Sequence, residues 1–306
     1  ETAGSQGRGR GGRGGLDHKQ RTNVRHSWQL LNYVFYTNGL ASVPDGDYVD
    51  NIHEKWYYNY RLLESHHGYI QWLFPRFESG GTNGSSEALT YDEAALIRQD
   101  TGCAFRVLLS YKLMLNFYGL KLVNVETGEV ARTEEWQERY KNMNILTHNN
   151  LRISRILASL GQLGFGRYKK PLFLHFRKEI MENKQIPHSK APMSRFWEPL
   201  VMNEDDPVYK AKTKERGPQD RQESIFFTHL ANDSDAYREF VERERVLHDA
   251  RELWKKQRAE KERQKKEIKD ARIVGKRQHR PNPAASKPAT KTPVKASKKN
   301  TKTKKK

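Results

Sequence analysis

Through the middle of the chain, apolar residues recur at intervals of three and four, the spacing that gathers side chains on one face of an α-helix. Trp28, Leu31 and Phe35 make a first stripe, closed by Asn38-Gly39, a pair that tolerates a left-handed cap. After a turn at Pro44, Asp45 and Gly46, the residues Val49, Ile52, Trp56, Tyr60 and Leu63 predict a second helix that stops near His66-His67-Gly68. The segment YIQWLFP, Tyr69 to Pro75, is short, aromatic and ended by proline, and reads equally as one turn of helix or an extended plug. Residues 78 to 88 are a loop of Gly, Ser and Asn, after which Thr90 with Glu93 has the form of a capping box for a helix through about Arg98.

From Gly102 to Tyr118 the chain is apolar over most of a helix circumference, which predicts a central buried helix ended by Gly119. Residues 120 to 130 alternate apolar and polar around Thr127-Gly128, the pattern of a small hairpin. Thr133, with Glu134 and Glu135 behind it, caps a further helix through about Asn144. The cleanest helix places Ile153, Ile156, Leu157 and Leu160 on one face and Arg152, Arg155 and Ser159 away from it, with a cap at Thr147 or Asn149 and a stop at Gly161 or Gly164. Pro171 opens the last core helix, whose inner face is Leu172, Phe173, Phe176 and Ile180, and beyond Pro187 the pattern decays. The fold class expected is therefore all-α, a compact multi-helix globular domain over residues 23–198 with a small β-hairpin near 120–130.

Residues 199–232 read as an acidic, proline-bearing linker with a short helix. Residues 233–271 read as a long charged helix, free of Gly and Pro from Asp235 to Ala271. Its sparse apolar residues, Tyr237, Phe240, Leu247 and Trp254, form a seam with one position missing at Glu244. An exposed helix and a weak coiled-coil surface for a partner both stay open.

Composition changes the picture at the ends. Of a net charge of +19, residues 251–306 alone supply 22 basic side chains against 5 acidic ones, while residues 28–198 balance 20 against 18. The arm at 1–22 contains GRGRGGRGG and the tail at 272–306 ends in KKNTKTKKK, so both are expected to be disordered. Arg8, Arg10 and Arg13, with Lys298, Lys299 and Lys304, are candidate contacts to RNA or DNA phosphates, and the same basic clusters resemble addresses for nuclear import receptors. A merely solubilising tail is the alternative. The single cysteine, Cys103, permits no internal disulfide and points to a reducing compartment. No charge-free run reaches the length of a membrane span and no charged-then-apolar leader opens the chain, so secretion is disfavoured.

Catalytic chemistry finds little support. Gly161, Gly164 and Gly166 close a helix, whereas a dinucleotide loop opens one. Adjacent His66 and His67 lack the spacing of metal ligands, and Cys103 sits in an apolar helix as a small core residue would. No GxSxG elbow, HExxH, P-loop or kinase signature occurs, so no enzyme, metal or cofactor is expected.

In YIQWLFP (Tyr69 to Pro75), LMLNFYGLKL (Leu113 to Leu122) and THNNLRISRILASLGQLG (Thr147 to Gly164), the sequence resembles the conserved region of the opioid growth factor receptor family. PDGDYVDNIHEKWYYNYRLLE (Pro44 to Glu64) and PLFLHFRKEI (Pro171 to Ile180) match in order, and coverage runs from about Val24 to Phe196. The resemblance implies a helical, growth-regulating intracellular receptor of methionine enkephalin, peripheral to the nuclear envelope and passing between cytoplasm and nucleus. A charged helix and lysine tail stand where mammalian members carry proline-rich repeats. A nucleic-acid or chromatin-associated adaptor using the tails is the rival reading.

Methionine enkephalin, Tyr-Gly-Gly-Phe-Met, offers an amine, two rings, a thioether and a carboxylate, so its site needs aromatic walls, an acid at one end and a base at the other. The densest aromatic supply runs from Trp56 through Tyr57, Tyr58 and Tyr60 to Tyr69, Trp72 and Phe74, with Glu54 and Glu64 nearby. Trp56, Tyr60, Tyr69 and Trp72 are accordingly the expected walls, and Arg152 with Arg155 the expected grip on a carboxylate.

Overall fold

Helix α1 (Leu31–Tyr36) ends where Asn38 adopts the left-handed conformation at φ 66° and the Gly39 N–H donates to the Val34 carbonyl at 2.9 Å, so the pair caps the helix as its type requires. The computed structural model describes residues 30–78, 84–202 and 222–278. Trp28, Arg8, Arg10 and Arg13 of the arm, and Lys298, Lys299 and Lys304 of the tail lie outside the described residues.

The second stripe is not one helix. It begins as α2 (Val49–Asn51), widens into a π turn over Ile52–Trp56, breaks at Tyr58 with φ 58°, and restarts as α3 (Tyr60–Ser65) under an Asn59 cap that accepts from the Leu62 N–H. The widened turn brings His53 inward, where its Nε2 lies 2.8 Å from Ser110 Oγ. Burial, reinforced by the positive Arg251, pulls the His53 pKa down from 6.5 to about 3. The imidazole is neutral in the fold and charges below pH 6.5 in the unfolded chain. Its contribution is therefore complete above about pH 6.5 and lost progressively as the pH falls towards 3. Urea unfolding followed across that window is expected to show a steeper loss for the native chain than for His53→Gln, and parallel profiles would contradict this assignment.

Tyr69–Pro75 resolves to a single buried turn, α4 (Ile70–Leu73), whose Trp72 Nε1 donates to the Val43 carbonyl at 2.9 Å. The capping box of α5 (Tyr91–Gln99) forms as its spacing predicts, and the buried Glu93 also accepts from the Asn32 N–H at 2.7 Å, tying α5 to α1. Asp100 then caps α6 (Thr101–Phe117), the central helix, most of which is buried around its circumference. The hairpin pairs β1 (Leu120–Leu122) with β2 (Val130–Arg132), antiparallel, Leu120 opposite Arg132 and Leu122 opposite Val130.

Three expected helix starts are corrected. Helix α7 (Trp136–Ile145) begins behind Glu135, with Thr133 Oγ buried and making no cap. Helix α8 (Asn149–Gln162) has His148 at its N-cap and no side-chain cap from Thr147 or Asn149, although Gly164 does close the turn beyond its end at φ 83°. Helix α9 (Lys169–Met181) starts two residues before Pro171, which occupies the first turn, where its missing N–H costs nothing. The chain past Pro187 is also more ordered than its periodicity indicates. Helix α10 (Lys190–Pro192), a π turn over Met193–Trp197 and α11 (Glu198–Met202) follow, and Trp197 is fully buried with its Nε1 on the Asn150 carbonyl at 3.0 Å.

Two further segments join the same core. Helix α12 (Ile225–Ala231), the short helix expected within residues 199–232, buries Phe226 and Phe227 against Phe165. A Cβ at Gly164 would lie 2.5 Å from the Ser224 backbone nitrogen, so glycine allows the chain before α12 to close on the end of α8. Helix α13 (Asp235–Gln278) extends seven residues past Ala271, the expected end. The described residues up to Lys255 belong to one unit and those from Lys256 to a second. Within the first unit the Tyr237, Phe240 and Leu247 seam packs on the chain's own core, Phe240 stacked on Phe105 at 4.3 Å. The missing position is filled by an ion pair, Glu244 with Lys112 of α6.

Candidate functional site

The turn of the hairpin is shaped by Asn124, whose Oδ1 accepts from the N–H groups of Glu126 at 2.8 Å and Thr127 at 3.0 Å. A 3-10 turn, Gly166–Tyr168, lies against it, with the Tyr168 hydroxyl donating to the Val125 carbonyl. This turn presents Arg167 to α12. The Arg167 guanidinium lies 3.8 Å over the Phe227 ring, meets both Glu223 carboxylate oxygens at 2.7 Å and reaches the Glu126 carbonyl at 3.3 Å.

Together these residues line an open groove of about 630 Å³, floored by Phe227 and Leu230 and flanked by Glu126, Arg167 and Glu223. That volume falls within the range of about 300–1,000 Å³ general for small-ligand sites. The groove offers acids and one base on opposing elements, and the Phe227 face beneath them is covered by the Arg167 guanidinium. The Ser224 Oγ in its wall caps α12, accepting from the Phe226 N–H at 3.3 Å.

The residues singled out from sequence occupy other places. Tyr69 and Trp72 are core residues and Trp56 is nearly so, in edge contact with Tyr69 at 5.7 Å. Tyr60 lies under the Arg139 guanidinium at 4.1 Å, and burial raises its pKa. Arg152 points inward, a correction to its expected outer face. It is 6% exposed and donates to the carbonyls of Leu63 at 3.0 Å and of Glu64 and His66 at 3.3 Å. Ser159, also expected outside, is fully buried. Arg155 donates to the Phe74 carbonyl at 3.1 Å, and burial, with Arg76 nearby, lowers its pKa to about 10. The two arginines thus serve different backbone segments, and the structure does not bring them to one open cleft with the aromatic set.

Arg167, Glu223 and Phe227 were not reached from sequence, although Ile225, Phe226 and Leu230 after Ser224 carry a readable cap and stripe. Cys103 is buried, and its thiol pKa is pushed up by burial and by Asp100, so it stays protonated at neutral pH. Among the described residues no group of three His, Cys, Asp or Glu is arranged to hold a metal, and no helix is long and apolar enough to cross a membrane.

The description "Opioid growth factor receptor (OGFr) conserved region" matches residues 25–207. Opioid growth factor receptor-like protein 1 of Mus musculus is 42% identical over 175 residues, 57% of this chain and 37% of that protein. The protein of the same name in Rattus norvegicus matches to the same extent. The opioid growth factor receptor of Homo sapiens is 40% identical over 156 residues, 51% of this chain and 23% of that protein. The match thus spans well under half the length of these curated relatives. No solved structure matches. Glu126 and Arg167 fall within the matched region, and Glu223 and Phe227 lie beyond it.

Proposed function

The chain belongs to the opioid growth factor receptor family, and from that premise we propose that it is a binding protein and not a catalyst, taking a short peptide with free termini. Methionine enkephalin, implied by the family resemblance, is the peptide to test. The observation that carries the reading is the groove at Arg167, whose guanidinium covers the buried Phe227 ring and whose rim carries charges of both signs. A peptide carboxylate can take the place of Glu223 on Arg167, because that carboxylate is 56% exposed and an exposed ion pair exchanges at little cost. The released Glu223, with Glu126, then faces the peptide amine. Growth regulation, residence in nucleus and cytoplasm and peripheral contact with the nuclear envelope belong to the same proposal.

Isothermal titration of the full chain with methionine enkephalin is expected to show saturable binding. Amidating the peptide carboxylate or acetylating its amine should each weaken it about tenfold, the loss of one charge-assisted contact. Arg167→Gln should reproduce the amidation loss and add nothing to it for the amidated peptide. Binding that ignores both peptide ends, or no binding, overturns the proposal.

A second reading is favoured by one observation, the excess of basic residues after position 250. It makes the chain a nucleic-acid or chromatin-associated adaptor, with Arg8, Arg10, Arg13, Lys298, Lys299 and Lys304 on phosphates and import receptors as partners.

A further inference from the structure

Residues 256–272 of α13 carry one large apolar side chain, Ile268, so this stretch has no face to pack against a core. It is held by ion pairs along its own surface. Arg263 meets Glu260 at 3.0 Å and Glu267 at 3.8 Å, and Lys265 meets Glu262 at 2.8 Å. The pairing segregates charge. Glu260, Glu267 and Arg263 share one side, whereas Lys261, Lys265, Lys269 and Arg272 follow one another at intervals of four, four and three residues and form a stripe roughly opposite. All four stripe residues are exposed, and among the described residues Lys261, Lys269 and Arg272 have no ion-pair partner. The stripe is about 16 Å long at the rise of an α-helix, and Glu262 is the acid on its border.

We propose that this stripe is a binding surface for the phosphate backbone of double-stranded DNA, read without regard to sequence. It extends the nucleic-acid reading and is independent of the peptide groove. The B-DNA major groove is wide enough to admit an α-helix, and the stripe is the side of this helix on which cations outnumber acids, so it is the face to turn to phosphates. The deep, narrow major groove of duplex RNA does not admit one. A bilayer surface requires an apolar face opposite the charges, and Ile268 alone does not supply it. A coiled-coil partner requires an apolar seam, absent for the same reason.

The test is fluorescence anisotropy of the full chain on a duplex DNA of about 24 base pairs, from about 0.05 to 0.2 M salt. Lys261→Gln with Lys265→Gln and Lys269→Gln is expected to lower affinity at least about tenfold and to flatten the salt slope by about 2–3, while circular dichroism stays unchanged because glutamine is a good helix former. Lys298→Gln with Lys299→Gln and Lys304→Gln removes the same charge from the tail and should cost less. Changing the three stripe lysines to arginine should retain both affinity and slope. Equal losses for stripe and tail, no loss for the stripe, loss on the arginine variant, or equal binding to duplex RNA or phosphatidylserine vesicles would each overturn the assignment.

Discussion

Arg152→Ala is expected to destabilise the domain by about 3–5 kcal/mol, on the scale of breaking a buried ionic network. The guanidinium closes the end of α3, where the carbonyls of Leu63, Glu64 and His66 have no further helical turn to accept. It also donates to Asn149 Oδ1 at 3.2 Å and lies within 5.7 Å of the Tyr69 ring, which itself donates to Leu63. Removing it takes a donor from the buried Leu63 carbonyl and Asn149 Oδ1 and from the half-buried Glu64 and His66 carbonyls, and leaves the Glu64 carboxylate to Asn142, His148 and Asn149. Arg152→Lys should recover only part of the loss, because one ammonium does not span carbonyls that a planar fork reaches together. Urea unfolding followed by tryptophan fluorescence measures both, and a loss below about 1 kcal/mol for the alanine variant would show that water replaces the arginine freely. Loss of peptide binding in an Arg152 variant consequently reports unfolding before it reports a ligand contact.

Arg251→Ala should release the first part of α13 from the core, at a cost of about 2–4 kcal/mol for a charge-assisted hydrogen bond and a desolvated cation–π contact. The Arg251 side chain is 3% exposed, its Nε donates to the His53 carbonyl at 2.8 Å, and its guanidinium lies 4.0 Å over Tyr57. Trp254 adds a bond to Glu54 at 2.9 Å, and Lys255 lies 4.5 Å over Tyr58. Hydrogen exchange of amides 235–255 is the direct readout. Protection should fall across that whole segment in the variant, while amides of α8 keep most of theirs. Unchanged protection would mean that Phe240 and Leu247 hold the helix without Arg251. Tyr237, Phe240 and Leu247 of the seam weighed for a partner coiled coil pack on the chain's own core.

What was legible in sequence is what depends on near neighbours. Thr90 and Glu93 cap one another across three residues, and the stripe of α6 needs only its own circumference, so both follow from spacing. Tyr58 at positive φ and the π turn before it are set by what the segment packs against, and no local residue type announces them. Arg152 was placed outside because charge ordinarily faces water, yet its partners are carbonyls more than eighty residues away. The groove was missed for a related reason. The short helix expected within residues 199–232 is legible, but nothing local to it announces that Arg167, 56 residues before Glu223, meets that carboxylate over Phe227. An aromatic face between opposite charges is the kind of site the peptide calls for, and the place where aromatics are densest in the sequence is the core, because large rings pack inside.

The Phe105 and Phe165 rings are covered by residues that leave the ribosome well after them, Phe226 of α12 and Phe240 of α13. During synthesis the helices up to α11 are therefore complete while an aromatic surface on them still lacks its cover, a state in which nascent chains draw chaperones or one another. A fragment cut at residue 207, where the family match stops, would keep that surface permanently bare. The boundary drawn by kinship stops short of the residues that cover this surface, which reach to Phe240.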